Sequence, residues 1–323
     1  MTPSPLRRRA ALAATAATGL WLAGCASAAR PRTEEHAEGP AEHPAELPGA
    51  TQRDWTDPAS GLIWRVWVQA PPGPAPATGH PVLYVLDGNA CFAMAAQLAR
   101  NSAGRPADMR GGQGSAVVVG IGHPGDAPYD QPARQRDYTP PAPGQGPTAQ
   151  AGGADRLLDF IAHQVQPHLQ ERYAMDPQRQ TLFGHSFGGL LVLHALFTRP
   201  RQFTRYAAAS PSVWWNQGQV MQTAQAFTQR PAAPPRAWQA QLQLRLGALE
   251  RAEAAPSATR SAVLQERRMW ERIHQLTDAL TALQWPELQV QLGVLPGLDH
   301  GAVMAPALID ALALAQAPRG FLL

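Results

Sequence analysis

The sequence predicts an α/β domain, a mostly parallel central sheet with helices on both faces. Three observations carry that prediction. Val82-Leu83-Tyr84-Val85-Leu86 and Ala116-Val117-Val118-Val119-Gly120-Ile121 are uninterrupted apolar runs, as strands buried on both faces must be. Helical periodicities alternate with such strands, the order expected of βαβ units. Of 323 residues, 45% are hydrophobic and 16% charged, enough apolar material for one large core and too much for global disorder.

Trp64-Arg65-Val66-Trp67-Val68 alternates like a strand and stops before Pro71-Pro72. Val82–Leu86 is the next strand, closed by Asp87-Gly88-Asn89, and Ala116–Ile121 follows. After Gly152-Gly153, Leu157, Ile161, Val165 and Leu169 recur every four residues on one helix. Thr181–Phe183 reads as a short strand, Gly188–Thr198 as a buried helix stopped at Pro200, and Tyr206–Ala209 as a further strand. Leu242, Leu244 and Leu246 alternate with polar residues, as do Leu288, Val290 and Leu292. Between those two strands Trp270, Ile273, Leu276, Leu280 and Leu283 share a helical face. Thr139–Gly153 and Pro231–Pro235 are Pro/Gly-rich connections in a chain with 32 prolines. No internal repeat is present, so residues 54–323 are assigned to one domain.

The amino terminus has a different composition. Arg7-Arg8-Arg9 precedes the apolar run Ala10–Leu22, which is too short to span a bilayer and has the layout of a secretory signal. Leu22-Ala23-Gly24-Cys25 resembles the lipobox of bacterial lipoproteins. That resemblance implies a signal peptide over 1–24, lipidation of Cys25, and a periplasmic protein anchored to the outer membrane, since Ala26 follows the cysteine. The arginine triplet also admits twin-arginine export, although the rest of that motif is missing. Residues 25–53 then form the lipidated cysteine and a Pro/Glu-rich tether. With Cys25 lipidated only Cys91 remains, so no intrachain disulfide can form.

Charge excludes several functions. All 27 basic residues are arginine, which removes Schiff-base and P-loop lysine chemistry. The net charge of +3 disappears with Arg7–Arg9, because the remaining arginines equal the 24 acids. No basic stripe or zinc-knuckle spacing points to nucleic acid.

Gly184-His185-Ser186-Phe187-Gly188-Gly189 lies between a predicted strand and a predicted helix, the context of a nucleophile elbow. Ser186 then stands exposed at the carboxyl end of the sheet and needs a base. His194 and His274 lie inside helices, and His185 adjoins the nucleophile and points elsewhere. His300 alone follows a strand in a loop, Pro296-Gly297-Leu298-Asp299-His300-Gly301, and is the expected base. An acid is expected after Leu242–Leu246, where Glu250 is the first choice and Glu253 the second. A Ser–His dyad stays open, and Asp299 is too close in sequence to reach the same imidazole. The amides of Phe187 and Asn89 are the expected oxyanion donors. Cys91 reads as a small buried residue. This chemistry calls for no metal and no organic cofactor; iron, if present, belongs to the substrate.

Together these segments resemble the esterase-D-like α/β-hydrolases, specifically the branch of catecholate-siderophore esterases. The resemblance rests on Tyr84–Asn89, Arg136-Asp137-Tyr138-Thr139-Pro140, Gly152-Gly153-Ala154-Asp155, Gly184–Gly189, Ser210-Pro211-Ser212-Val213-Trp214-Trp215 and Asp299-His300-Gly301. It spans roughly residues 54–312 and implies the α/β-hydrolase fold. It also implies hydrolysis of the serine trilactone of enterobactin, salmochelin or bacillibactin, free or ferric, through an acyl-enzyme. The lipoprotein anchor, the Pro-rich loop after Thr139 and the absence of lysine depart from the family pattern. Trp214 and Trp215 could stack on catechol rings and Arg136 could pair with anionic catecholate. The alternatives are a feruloyl, acetyl or thioester substrate, or a catalytically silent siderophore-binding lipoprotein.

Overall fold

Eight strands form one sheet in the order β1-β2-β4-β3-β5-β6-β7-β8. The computed structural model describes residues 45–105, 115–229 and 238–320. The chain divides into Met1–Ala45 and Glu46–Leu323, and the sheet with all its helices belongs to the second unit. The predicted signal peptide, Cys25, most of the tether and the Pro231–Pro235 connection lie outside the described residues. No helix among the described residues is long and apolar enough to cross a membrane.

The strands are β1 (Ala50–Thr56), β2 (Ile63–Gln69), β3 (His80–Leu86), β4 (Val117–Gly122), β5 (Met175–His185), β6 (Arg205–Ala209), β7 (Ala240–Gly247) and β8 (Leu288–Leu295). The helices are α1 (Gly88–Ala103), α2 (Gln131–Tyr138), α3 (Ala154–Phe160), α4 (Gln166–Arg172), α5 (Phe187–Thr198), α6 (Trp215–Thr228), α7 (Ala258–Arg267), α8 (Met269–Thr281) and α9 (Met304–Gln316). β1 and β2 pair antiparallel, as do β2 and β4; all other pairs are parallel. This is the α/β-hydrolase fold.

Alternation along β3 explains the two layers. Val82, Tyr84 and Leu86 face a core shared with α3, α5, α6 and α8, while Leu83 and Val85 face one built with α1 and α9. The second layer is rich in alanine (Ala95, Ala96, Ala99, Ala307, Ala311, Ala315), which lets α1 and α9 approach the sheet closely. Order reverses at β3, flanked by β4 on one side and β5 on the other. The crevice beyond the carboxyl ends of β3 and β5 is therefore a topological switch point, where open α/β sheets bind ligands.

Two boundaries differ from the sequence reading. Ala50–Arg53, placed in the tether, are the first half of β1 and pair with Gln69–Val66. β1 is a largely exposed edge strand, so it shows no apolar alternation to read. The helix with the four-residue repeat is α3, a π turn over Ile161–Val165, and α4. A spacing of four drifts off a 3.6-residue helix by ~40° per repeat, and a wider π turn restores the stripe. Pro167, two residues past its end, has no N–H to continue the α-helical ladder. Leu157, Ile161, Val165 and Leu169 all remain buried.

Candidate active site

Ser186 sits between β5 and α5 with φ 59° and ψ −115°, a strained conformation held by its surroundings. Its N–H donates to Ala209 O on β6 at 2.9 Å, and its carbonyl accepts from Leu190 N and Ser212 N at 3.0 Å each. A Cβ on Gly184 would meet the Gly188 carbonyl carbon at 2.3 Å, so only glycine lets the helix start this close to the strand. That approach thrusts the serine out of the sheet.

His300 Nε2 lies 3.1 Å from Ser186 Oγ, and His300 Nδ1 lies 2.8 Å from Glu250 Oε2. The acid is therefore Glu250, on the turn after β7, and the three side chains form a continuous relay. Glu253 is not buried, and Asp299 accepts from the Gly301 and Ala302 amides at 3.0 and 2.9 Å instead. Gly247 makes the meeting possible: a Cβ there would lie 2.3 Å from Leu298 O, in the loop that carries His300. Glu250 is 2% exposed. Burial alone would push its carboxyl up, but hydrogen bonds from His300, Ser210 and the Gly247 amide outweigh it and hold the group below the usual glutamate value. An ionised Glu250 fixes the proton on His300 Nδ1 and leaves Nε2 free to accept from Ser186.

The Phe187 amide is at the amino end of α5 and donates to no acceptor among the described residues. Across the crevice Asp87 adopts φ 54° and starts α1, and the Gly88 and Asn89 amides likewise donate to none of the described residues. The Asn89 side chain is fully used: Nδ2 donates to His123 O and Gly125 O at 3.1 Å, and Oδ1 accepts from His123 N at 3.0 Å. Only its backbone N–H is left to serve an oxyanion.

Arg134, which the sequence does not single out, fixes this turn. Its Nε and Nη2 donate to the two Asp87 oxygens at 2.7 and 3.1 Å, while Tyr138 Oη accepts from Asp87 N at 3.0 Å. Burial disfavours the guanidinium, but Asp87 beside it more than compensates and keeps it charged. A signal is present all the same: Arg134 and Tyr138 are one helical turn apart on α2 and reach the same residue.

Arg136, expected at the substrate, is ion-paired to its neighbour on α2. Its Nε and Nη2 both donate to Asp137 at 2.7 Å, and Asp137 also accepts from Trp64 Nε1 and pairs with His123, each at 2.9 Å. A carboxylate with no exposure needs that neutralisation, so the half-buried Arg136 guanidinium is tied to Asp137. Trp214 and Trp215 do reach the site. Their ring centroids lie 6.0 and 5.3 Å from that of Phe187, and both are half-buried. A cation that the sequence does not single out joins them, with the Arg267 guanidinium 4.2 Å from the Trp214 centroid. Arg267 makes no ion pair among the described residues, and burial followed by Arg260 lowers its pKa. His185 is buried, and its Nε2–H donates to His300 O at 2.7 Å, a support for the base. Cys91 is buried and its thiol is pushed up by burial, which removes it as a nucleophile.

Comparison with known proteins shows the family. The model of the Esterase family, described as putative esterase, matches residues 63–281. The ferri-bacillibactin esterase BesA of Bacillus subtilis is 32% identical over 204 residues, covering 61% of this chain and 70% of its own. The siderophore enterobactin esterase of Emericella nidulans is 34% identical over 256 residues, covering 73% of this chain and 82% of its own. Among solved structures, the siderophore hydrolase EstB from Aspergillus nidulans superposes with a TM-score of 0.77 at 30% identity, over 88% of this chain and 99% of that one. The chain belongs to the Esterase family, on the branch it shares with the siderophore esterases.

Proposed function

We propose that the protein is a serine esterase that opens the ester bonds of a catecholate siderophore. The relay from Ser186 through His300 to Glu250 carries this reading. Ser186 Oγ attacks the ester carbonyl as its proton passes to His300 Nε2, and the oxyanion is held by the Phe187 amide and the Asn89 amide opposite. Collapse expels the alcohol, which takes that proton, and leaves an acyl-enzyme. Water activated by His300 then releases the acid. A silent binding protein has no use for an aligned relay.

The wall beside the nucleophile supports the substrate class. Trp214, Trp215 and Phe187 offer flat faces to aromatic arms, and Arg267 stands over that wall with no carboxylate paired to it among the described residues. The names of the relatives point the same way. Incubation with enterobactin, free and ferric, followed by mass separation of the products, tests the proposal. The linear N-dihydroxybenzoylserine trimer, its shorter oligomers or the monomer are expected. Turnover of feruloyl, acetyl or thioester substrates with the siderophore left intact would overturn it.

For location we propose a lipid-anchored protein of the periplasm, held at the outer membrane. The basic and apolar order of residues 7–22 and the Leu-Ala-Gly-Cys ending at Cys25 support that reading. Labelled palmitate should enter the wild type and not Cys25→Ala; equal labelling would overturn it.

A further inference from the structure

The relay does not end at Ser186 and Glu250. Ser212 Oγ lies 3.2 Å from Ser186 Oγ, and Ser210 Oγ donates to Glu250 Oε1 at 2.5 Å. Both hydroxyls belong to the turn Ser210-Pro211-Ser212 that follows β6, and both serines are buried, at 0% and 1% exposure. Hydrogen-bond directions follow from the relay itself. His300 donates its Nδ1–H in a hydrogen bond to Glu250, so its Nε2 accepts the hydrogen bond from the only proton Ser186 has. In the Ser186–Ser212 contact the donor is therefore Ser212.

We propose that Ser210-Pro211-Ser212 is a clasp that holds the two ends of the catalytic relay, with Ser210 and Ser212 as positioning residues. It rests on the reading of Ser186 as nucleophile. Ser212 restrains the Ser186 rotamer toward His300 and offers a hydrogen bond to the oxygen as its proton leaves. Ser210 anchors the Glu250 oxygen that His300 does not use, beside the Gly247 amide at 2.7 Å.

The turn is built for this. Ser210 takes φ 41°, an unfavourable region for a serine, and its amide is tied to Arg245 O at 2.8 Å. Ser212 N donates to Ser186 O at 3.0 Å, so backbone and side chain of Ser212 both go to the nucleophile. A Cβ on Gly189 would stand 3.0 Å from Pro211 Cα and from Ala209 O, so the last glycine of the elbow seats the clasp.

The test uses the full-length enzyme, a nitrophenyl ester and a fluorophosphonate. Ser212→Ala should lower kcat and the labelling rate roughly tenfold at unchanged KM and an unchanged acid limb of the pH profile. Ser210→Ala should move that acid limb upward by roughly half a pH unit, because the carboxylate keeps more charge for the imidazolium. Ser212→Cys, similar in size but a weaker donor, should fall between Ser and Ala and serves if Ser212→Ala does not fold. Folding is checked by Tm. Wild-type labelling rates in folded Ser212 variants, or an unmoved acid limb in Ser210→Ala, would overturn the clasp. No labelling of the wild type would instead overturn Ser186 as nucleophile.

Discussion

Ser186, His300 and Glu250 act on one proton, so their losses cannot multiply. Ser186→Ala and His300→Ala should each lower ester turnover by ~10⁴–10⁶-fold, and the double variant should be no worse than the poorer single. A double variant at the product of the two factors would show that they serve separate steps. Glu250→Gln keeps the shape but offers no charge to His300 Nδ1–H; a ~10⁴-fold loss is expected, and one under about tenfold would mean a working dyad. His185 adds a pH effect. Burial, then the neighbouring His300 and Arg134, lowers its pKa from 6.5 to about 4. Between those values the unfolded chain binds a proton that the folded one refuses, so stability is full above pH ~6.5 and falls as pH drops toward ~4. Its share is about 3 kcal/mol. Urea unfolding across that range should show a shallower acid slope for His185→Gln than for the wild type.

At the scale of elements, β5, β7 and β8 deliver the relay, and each junction depends on backbone approach. Gly247→Val should disturb catalysis more than folding, because its side chain must displace Leu298 O and with it the His300 loop. A loss near 10²-fold in kcat with a modest drop in Tm is expected, since ~1 Å of misplacement suffices. Loss of Tm with unchanged kcat would contradict it. The same junctions explain what the sequence reveals. Strands such as Val82–Leu86 and the elbow at Ser186 announce themselves, because burial and strain restrict which residues can stand there. Edge strand β1 is hidden because its side chains face water. The site is legible at Ser186 and His300 through loop position, and at Glu250 only as one of two carboxylates. Arg136 and Arg267 show the limit. A guanidinium's role depends on which carboxylate it meets, and a sequence places neither the pair with Asp137 nor the stack on Trp214.

At the scale of the molecule, removal of the proposed signal segment with Arg7–Arg9 would leave equal numbers of arginines and acids, so the mature chain would exert no net pull on an anionic substrate. Attraction to a ferric catecholate must then be local, and Arg267 over Trp214 is the cation placed for it. Arg267→Gln should therefore lower kcat/KM for the ferric siderophore more than for the iron-free one, and leave a nitrophenyl ester untouched. The deficit should shrink as salt rises, since screening within a Debye length of ~10 Å at 0.1 M weakens the wild type but not the variant. Trp214→Ala should remove ~1–2 kcal/mol from the transition state of either siderophore form, about ten- to thirtyfold, because stacking does not depend on iron. Arg136→Gln provides the contrast: it breaks the pair with buried Asp137, so its effect should fall on Tm and on all three substrates alike. Steady-state kinetics on the three substrates at low and high salt, with the same folded preparations, decide the matter. Equal losses for Arg267→Gln on the ferric siderophore and the small ester would mean that Arg267 only supports the Trp214 wall.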